Sequence, residues 1–86
     1  MVNLSMEVKQ LYKLNGESKL KAFADVAVAE LFLLKGLRVV EGKNGLFVGM
    51  PRQPGKDGQW YQTIYPLSTE IKDQLNETVL QAYQQQ

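Results

Sequence analysis

A turn signal followed by an apolar run constrains the fold of this chain more than any other stretch. Asn44-Gly45 tolerates the positive φ angles of a two-residue hairpin turn, so the segments on either side are expected to pair as antiparallel strands. The apolar residues 46–50 follow at once and are closed by Pro51. Consecutive apolar residues suit a strand covered on both faces. Residues 42–51 therefore predict a hairpin leading into a central strand of a small sheet.

The N-terminal third predicts a second hairpin. Residues 2–14 alternate loosely between apolar and polar types, and residues 15–18 form a turn cluster. Residues 19–28 alternate with period two, which is typical of a half-buried strand, so the two segments are expected to pair antiparallel. Phe23 falls on the polar face of this strand, where we expect it to cover the second face of the sheet or to contact a partner.

The middle of the chain predicts further strands. Residues 27–34 fit either a strand or a helical turn, whereas the β-branched pair Val39-Val40 favours a third strand, bent at Gly36. Proline and glycine mark residues 51–58 as a loop after the fourth strand. The aromatic and β-branched residues at 59–65 then predict a fifth strand.

The hydrophobic period becomes helical after Pro66. Ser68 is a suitable N-cap, and an apolar stripe follows at helical spacing, formed by Ile71, Leu75, Val79, Ala82 and Tyr83. We therefore predict an α+β fold, with about five hairpin-connected antiparallel strands and one C-terminal amphipathic helix. Residues 1–86 are expected to form a single domain, with residues 84–86 as a frayed end.

Composition narrows the functional classes. The chain has no cysteine and no histidine. The commonest metal ligands and the commonest general base near neutral pH are therefore missing, so we expect no metal site and no enzymatic activity. No stretch resembles a signal peptide or is apolar over the length that a bilayer requires, which predicts a cytoplasmic protein without membrane contact.

The charge is unevenly distributed although the net charge is only +1. Residues 1–56 hold nine Lys or Arg against five Asp or Glu, whereas residues 57–86 hold one against four. The positive part could attract an anionic partner, or both parts could be solvated faces of a small domain.

The predicted loop at residues 51–58 is the best candidate for a binding site. Arg52 and Lys56 lie on it, close to the aromatic Trp60. Basic groups bind phosphates and aromatic rings stack on bases, so this combination suits nucleic acid. Lys43, at the tip of the hairpin, is a further candidate for a phosphate contact. Trp60 also fits a position in the core.

The segment from Arg38 to Pro51 reads Arg-Val-Val-Glu-Gly-Lys-Asn-Gly-Leu-Phe-Val-Gly-Met-Pro. It resembles the central motif of the SpoVG family, the bacterial stage V sporulation protein G or septation-protein group. That motif typically reads Arg-Val-Ile-Asp-Gly-x-Asn-Gly-Leu-Phe-Val-Ala-Met-Pro. Asp57-Gly58, Tyr65-Pro66 and the Val-Leu-Gln-Ala-Tyr sequence at residues 79–83 resemble family motifs farther along.

The resemblance implies a small cytoplasmic homodimer that binds DNA, and in some members RNA, as a regulator of gene expression in sporulation or septation. It implies no catalytic activity, no cofactor and no small-molecule substrate. Typical members carry a Lys-Arg pair in the loop after Met-Pro, where this chain has Gln53 and Pro54. Arg52 and Lys56 are the nearest positive charges. The alternative is a protein–protein interaction module that has lost typical DNA binding.

Overall fold

The structure is a computed structural model that describes residues 4–14 and 16–85. The elements in these residues are β1 (Met6–Lys13), β2 (Leu20–Val28), β3 (Phe32–Gly42), β4 (Gly45–Gly49), β5 (Arg52–Pro54), β6 (Trp60–Gln62) and α1 (Thr69–Gln85). Strands β1 to β4 form an antiparallel sheet in the order β1-β2-β3-β4, and β5 pairs with β6 as a separate two-stranded sheet. The predicted α+β class is confirmed. Parts of the predicted first strand, first turn and frayed end, namely residues 2–3, 15 and 86, lie outside the described residues.

The core lies between α1 and one face of the four-stranded sheet. The period-two pattern of β2 places every second side chain against the helix, as the sequence predicts. The buried apolar residues are Ala22, Ala24, Val26, Leu37, Val39, Val48, Met50, Leu75 and Val79. Each fully buried Leu or Val among them contributes roughly 1.5–3 kcal/mol relative to an exposed position. This shared apolar layer holds the helix on the sheet.

Strand β3 bends at Gly36, as predicted. The pairing of β2 with β3 shifts between Ala24 and Val26, which leaves one extra residue on β3. Gly36 lies there with φ +88°, a backbone conformation that glycine adopts at low cost. Its N–H donates a hydrogen bond of 3.3 Å to Oδ1 of the buried Asp25. The carboxylate therefore satisfies a backbone donor that the bulge would otherwise leave unpaired.

The ambiguous residues 27–34 end β2 and begin β3 around a tight turn. Ala29 and Glu30 have φ of 55° and 58°, and the Leu31 N–H donates to the Val28 carbonyl oxygen at 3.0 Å. The left-handed backbone of these two residues reverses the chain within a few residues. A strand–turn–strand arrangement is therefore found, rather than a helical turn.

The hairpin predicted around Asn44-Gly45 is present, but its geometry differs by one residue. Gly42 pairs with Gly45, so Lys43 and Asn44 form the turn, and the positive φ of 116° falls on Gly45. The turn signal therefore predicts the reversal correctly and its register incorrectly.

Strand β4 lies at the edge of the sheet, so the prediction of a central strand covered on both faces is wrong. Val48 is buried against the core, whereas Phe47 is exposed on the opposite face. The Val48 N–H on the free edge donates to Oδ1 of Asn76 on α1 at 3.1 Å. A helix side chain therefore takes the place that a fifth strand would have filled.

The predicted fifth strand is shorter than expected and pairs elsewhere. The predicted loop contains β5, and β6 pairs with it in the register Arg52 to Gln62, Gln53 to Tyr61 and Pro54 to Trp60. The part of the chain that the structure describes therefore has six strands in two sheets rather than five in one. Pro51 has no N–H to extend the β4 ladder, which explains why the chain leaves the main sheet there. A hydrogen bond joins the two ends of the small hairpin: the Thr63 N–H donates to the Pro51 carbonyl oxygen at 2.9 Å.

Helix α1 begins after the N-cap predicted at Ser68. The Ser68 hydroxyl oxygen accepts a hydrogen bond of 3.2 Å from the Ile71 N–H, which satisfies one of the free donors of the first turn. The helix extends to Gln85, so Gln84 and Gln85 are helical where a frayed end was expected. No helix in the described residues is both long and apolar enough to cross a membrane.

We predict that Gly36→Ala destabilises the fold by about 1–2 kcal/mol, because an alanine is strained at this positive φ although its Cβ would meet no atom within 4 Å. Gly16→Ala is the matched control, since that position is equally open and its φ lies outside the positive range. Urea unfolding of both variants measures the difference. Equal stability of the two variants would contradict the strain argument.

Candidate nucleic-acid interface

The face of the four-stranded sheet opposite α1, here called the open face, carries the candidate site. Phe23 pairs with Arg38 across β2 and β3, and Arg38 pairs with Gly49 across β3 and β4. Directly paired residues point to the same side of a sheet. Since Leu37 and Val39 are buried against α1, Arg38 between them must point to the open face.

The Arg38 side chain extends across the backbone of Gly49. A Cβ added to Gly49 would come within 2.8 Å of Arg38 Cζ, so the glycine leaves the space that the guanidinium occupies. Nη2 of Arg38 donates to the Met50 carbonyl oxygen at 3.4 Å. Its Nε is the one buried side-chain nitrogen or oxygen in the described residues that has no hydrogen-bond partner. The guanidinium is therefore held in place, but its Nε–H donor has no acceptor.

Arg52, the first residue of β5, lies beside Arg38. Burial lowers the pKa of Arg38 below its ordinary value, and the nearby charge of Arg52 lowers it further. No carboxylate in residues 4–14 or 16–85 forms an ion pair with either guanidinium. Two like charges without a counter-ion repel each other, and an anion bound between them would relieve that repulsion.

Two depressions share these arginines. The first, here called the arginine pocket, has a volume of about 290 Å³ and opens on the open face. Its lining residues are Phe23, Gly36, Arg38, Arg52 and Trp60. Trp60 is 61% exposed, so the prediction that it could belong to the core is wrong. Aromatic rings and guanidinium groups thus line one small cavity.

The second depression, here called the edge groove, follows the free edge of β4 and has a volume of about 580 Å³. Arg38, Arg52 and Lys72 of α1 line it, and so do the aromatic residues Phe47 and Tyr65. Among the described residues that line it, three have cationic side chains and none is acidic. Its chemistry suits an elongated anion.

The structure distributes the predicted contact residues unevenly. Arg52 lines both depressions, whereas Lys56 and Lys43 are exposed on the β5–β6 and β3–β4 turns and line neither. Sequence reasoning missed Arg38 and Lys72. The alternation Leu37-Arg38-Val39 was a usable signal for Arg38, because the side chain between two core positions of a strand must face outward. Nothing in the local sequence around Lys72 indicates the edge groove.

Side-chain contacts fix the shape of the β5–β6 turn that carries Lys56. Asp57 accepts hydrogen bonds from the Gln59 N–H at 3.0 Å and from the Tyr61 hydroxyl. The Tyr61 ring also packs on Gly55, where an added Cβ would lie 2.6 Å from Cε2. The hydrogen bond from Tyr61, and then that from Gln59, lower the pKa of Asp57 below its ordinary value of 3.8. The same bond raises the pKa of Tyr61 above 10.0.

Comparison with known proteins places this arrangement in a family. The model of the family described as SpoVG matches residues 4–85, which includes every strand and the helix. The chain belongs to the SpoVG family. The resemblance of the central motif is thereby confirmed.

Individual SpoVG relatives match most of the chain. A SpoVG protein of Archaeoglobus fulgidus is 43% identical over 77 residues, which cover 90% of this chain and 91% of the relative. One of Macrococcus caseolyticus is 35% identical, over 86% of this chain and 64% of the relative. One of Clostridium perfringens is 32% identical, over 87% and 83%. The names of all three refer to septation and none names an enzyme.

We predict that Asp57 titrates below pH 3.8 in the folded protein, and that Tyr61→Phe moves its pKa upward towards that value by removing the phenolic donor. Because the folded-state pKa is lowered, this contact stabilises the turn above the ordinary pKa, and the contribution is lost as pH falls through the folded-state pKa. NMR titration of the Asp57 carboxyl carbon measures its pKa in the wild type and in the Tyr61→Phe variant. Tyr65→Phe is the control, and an equal shift in that variant would contradict the assignment.

Proposed function

We propose that this SpoVG-family protein is a nucleic-acid-binding regulator that acts in the cytoplasm as a homodimer. It binds DNA, and RNA as a second ligand, and it modulates gene expression in septation- or sporulation-type processes. The observation that carries the proposal is the pair Arg38 and Arg52, which no carboxylate in the described residues neutralises, at the head of a groove lined by cations. The proposed function involves no catalytic step, no cofactor and no small-molecule substrate.

The chemistry of the arginine pair supports phosphate as the bound group. A guanidinium offers several N–H donors in a planar fork, which matches the oxygens of a phosphate. Two such groups side by side are stabilised when a phosphate lies between them. Lys72 continues the positive lining along the edge groove. Contacts of this kind position a nucleic-acid backbone without reading its sequence.

The exposed lysines extend the proposed surface. Lys43 lies on the β3–β4 turn and Lys56 on the β5–β6 turn, and neither forms an ion pair within the described residues. Lys43 lies five residues beyond Arg38 along the same hairpin, which corresponds to at most about 17 Å. One strand of a duplex presents several phosphates over that distance. We assign Arg52 a direct phosphate contact, and Lys56 and Lys43 peripheral ones.

A patch of exposed apolar side chains supports the homodimer. Leu31, Phe32 and Leu33, at the β2–β3 turn, are 76%, 70% and 50% exposed. A cluster of this kind at the surface of a small domain is typical of an interaction site, whereas single exposed apolar residues are ordinary. A dimer would also double the number of phosphate contacts available to one nucleic acid.

We predict that Arg52→Ala/Lys56→Ala weakens binding to a short DNA duplex and lowers the salt slope of log affinity by about two units, roughly one for each lost phosphate contact. Fluorescence anisotropy between about 50 and 200 mM salt measures both quantities. The control is Lys19→Ala/Lys35→Ala, which removes the same charge at exposed residues that line neither the arginine pocket nor the edge groove.

An unchanged slope and affinity in the Arg52/Lys56 variant would contradict the assigned contacts. Wild-type protein that binds neither duplexes nor single strands at low salt would contradict nucleic-acid binding itself. That outcome would favour the protein–protein interaction module.

We predict that light scattering at micromolar concentration gives a mass of twice the 9.7 kDa chain, and that Phe32→Glu shifts it to the monomer. A charge buried in an interface without a partner is strongly unfavourable. Leu67→Glu is the matched control, because Leu67 is 98% exposed outside this patch and the substitution adds the same charge. A monomeric wild type would overturn the homodimer, and a dimeric Phe32→Glu would exclude this patch as its interface.

A further inference from the structure

The arginine pocket differs from the edge groove in the ligand that it can hold. The edge groove has a volume of about 580 Å³ and is bordered by strand β4, whereas the pocket is a cavity of about 290 Å³ that Phe23 and Gly36 help to line. That volume lies at the small end of the range for ligand sites. It suits one planar group with an anionic substituent.

The polar side of the pocket has unused hydrogen-bonding capacity. Arg38 Nε is buried without a partner, although buried donors in folded proteins nearly always have one. Arg52 contributes a second guanidinium to the same cavity. Both groups can donate to one phosphate, which would also neutralise their mutual repulsion.

The apolar side of the pocket is aromatic and exposed. Trp60 is 61% exposed, and its backbone is fixed by pairing with Pro54 in the β5–β6 hairpin. An exposed indole costs free energy in water, and an aromatic surface beside arginines is typical of base-stacking sites. An acidic peptide would satisfy the guanidinium groups but leave the indole without a stacking partner.

We infer that the arginine pocket binds one unpaired nucleotide of a single strand, with its phosphate between Arg38 and Arg52 and its base stacked on Trp60. This inference rests on the proposed function and specifies its ligand. A base inside a duplex is already stacked on its neighbours, so reaching Trp60 would require it to be unpaired and extruded, which is unfavourable. The pocket therefore favours single-stranded over duplex nucleic acid.

The chain allows a direct test because Trp60 is its only tryptophan. Intrinsic tryptophan fluorescence consequently reports on this one side chain. The probes are an oligothymidine of about ten nucleotides and a mixed-sequence duplex with the same number of phosphates, titrated at one low salt concentration. We expect saturable quenching by the single strand, tighter binding of the single strand than of the duplex, and little quenching by the duplex.

Two substitutions test the two halves of the pocket. Trp60→Leu should lower single-strand affinity about tenfold, since stacking of one base contributes roughly 1–3 kcal/mol, and should thereby remove the preference for single strands. Arg38→Lys keeps the charge but loses the planar fork, so it should weaken single-strand binding and reduce the quenching of Trp60. Tyr12→Leu is the control, because Tyr12 is an exposed aromatic residue of the open face that does not line the pocket.

The outcomes separate this inference from the proposed function. If the wild type binds both nucleic acids without quenching, or if Trp60→Leu behaves like Tyr12→Leu, the nucleotide pocket is wrong and nucleic-acid binding stands. If neither nucleic acid binds while a phosphorylated peptide quenches Trp60, both are wrong, and the pocket belongs to an anion of another class. Circular dichroism of each variant confirms that lost binding does not reflect lost folding.

Discussion

The packing of α1 on one face of the sheet is the constraint on which the rest of the structure depends. Leu37 and Val39 are fully buried beneath the helix, so the backbone of β3 has no freedom to rotate about its own axis. Arg38 is then forced to the open face, where the small Gly49 leaves room for its guanidinium. A shift of one residue in the register of β3 would bury this charge in the core. The apolar packing of one face therefore determines the chemistry of the other.

Arg52, the second arginine of the site, lies where the chain leaves the four-stranded sheet. Pro51 ends the ladder of β4, and the following residues fold back as the β5–β6 hairpin instead of extending the main sheet. Arg52 is the first residue after that break, which places it beside Arg38. The repulsion between the two charges opposes this arrangement, and the core and the Thr63–Pro51 hydrogen bond hold it in place. Binding of an anion between the arginines is therefore coupled to stability, because a ligand that binds only the folded state stabilises it.

Features that depend on neighbouring residues could be predicted from the sequence, and features that depend on distant contacts could not. The period of β2, the bend at Gly36 and the cap at Ser68 each follow from a few adjacent residues. The free edge of β4 is covered by the side chain of Asn76, 28 residues away from Val48. The arginine pocket likewise requires β2, β3 and the β5–β6 hairpin to meet. Arg52 was predicted as part of the site because of its charge, but its partner Arg38 was visible only as one polar residue in an apolar strand.

The two positions at which this chain lacks the Lys-Arg pair of the typical SpoVG motif lie in the β5–β6 hairpin. Gln53 and Pro54, which stand where the family motif typically has Lys-Arg, pair with Tyr61 and Trp60. Arg52 and position 54 lie two residues apart, on the same side of β5. A proline at position 54 therefore removes a charge beside Trp60 while leaving the indole ring exposed. In the proposed binding mode, phosphate attraction depends more on Arg38 and Arg52, and stacking on Trp60 supplies a larger share of the affinity. A shallow salt dependence is therefore expected of the proposed binding, because stacking releases no counterions.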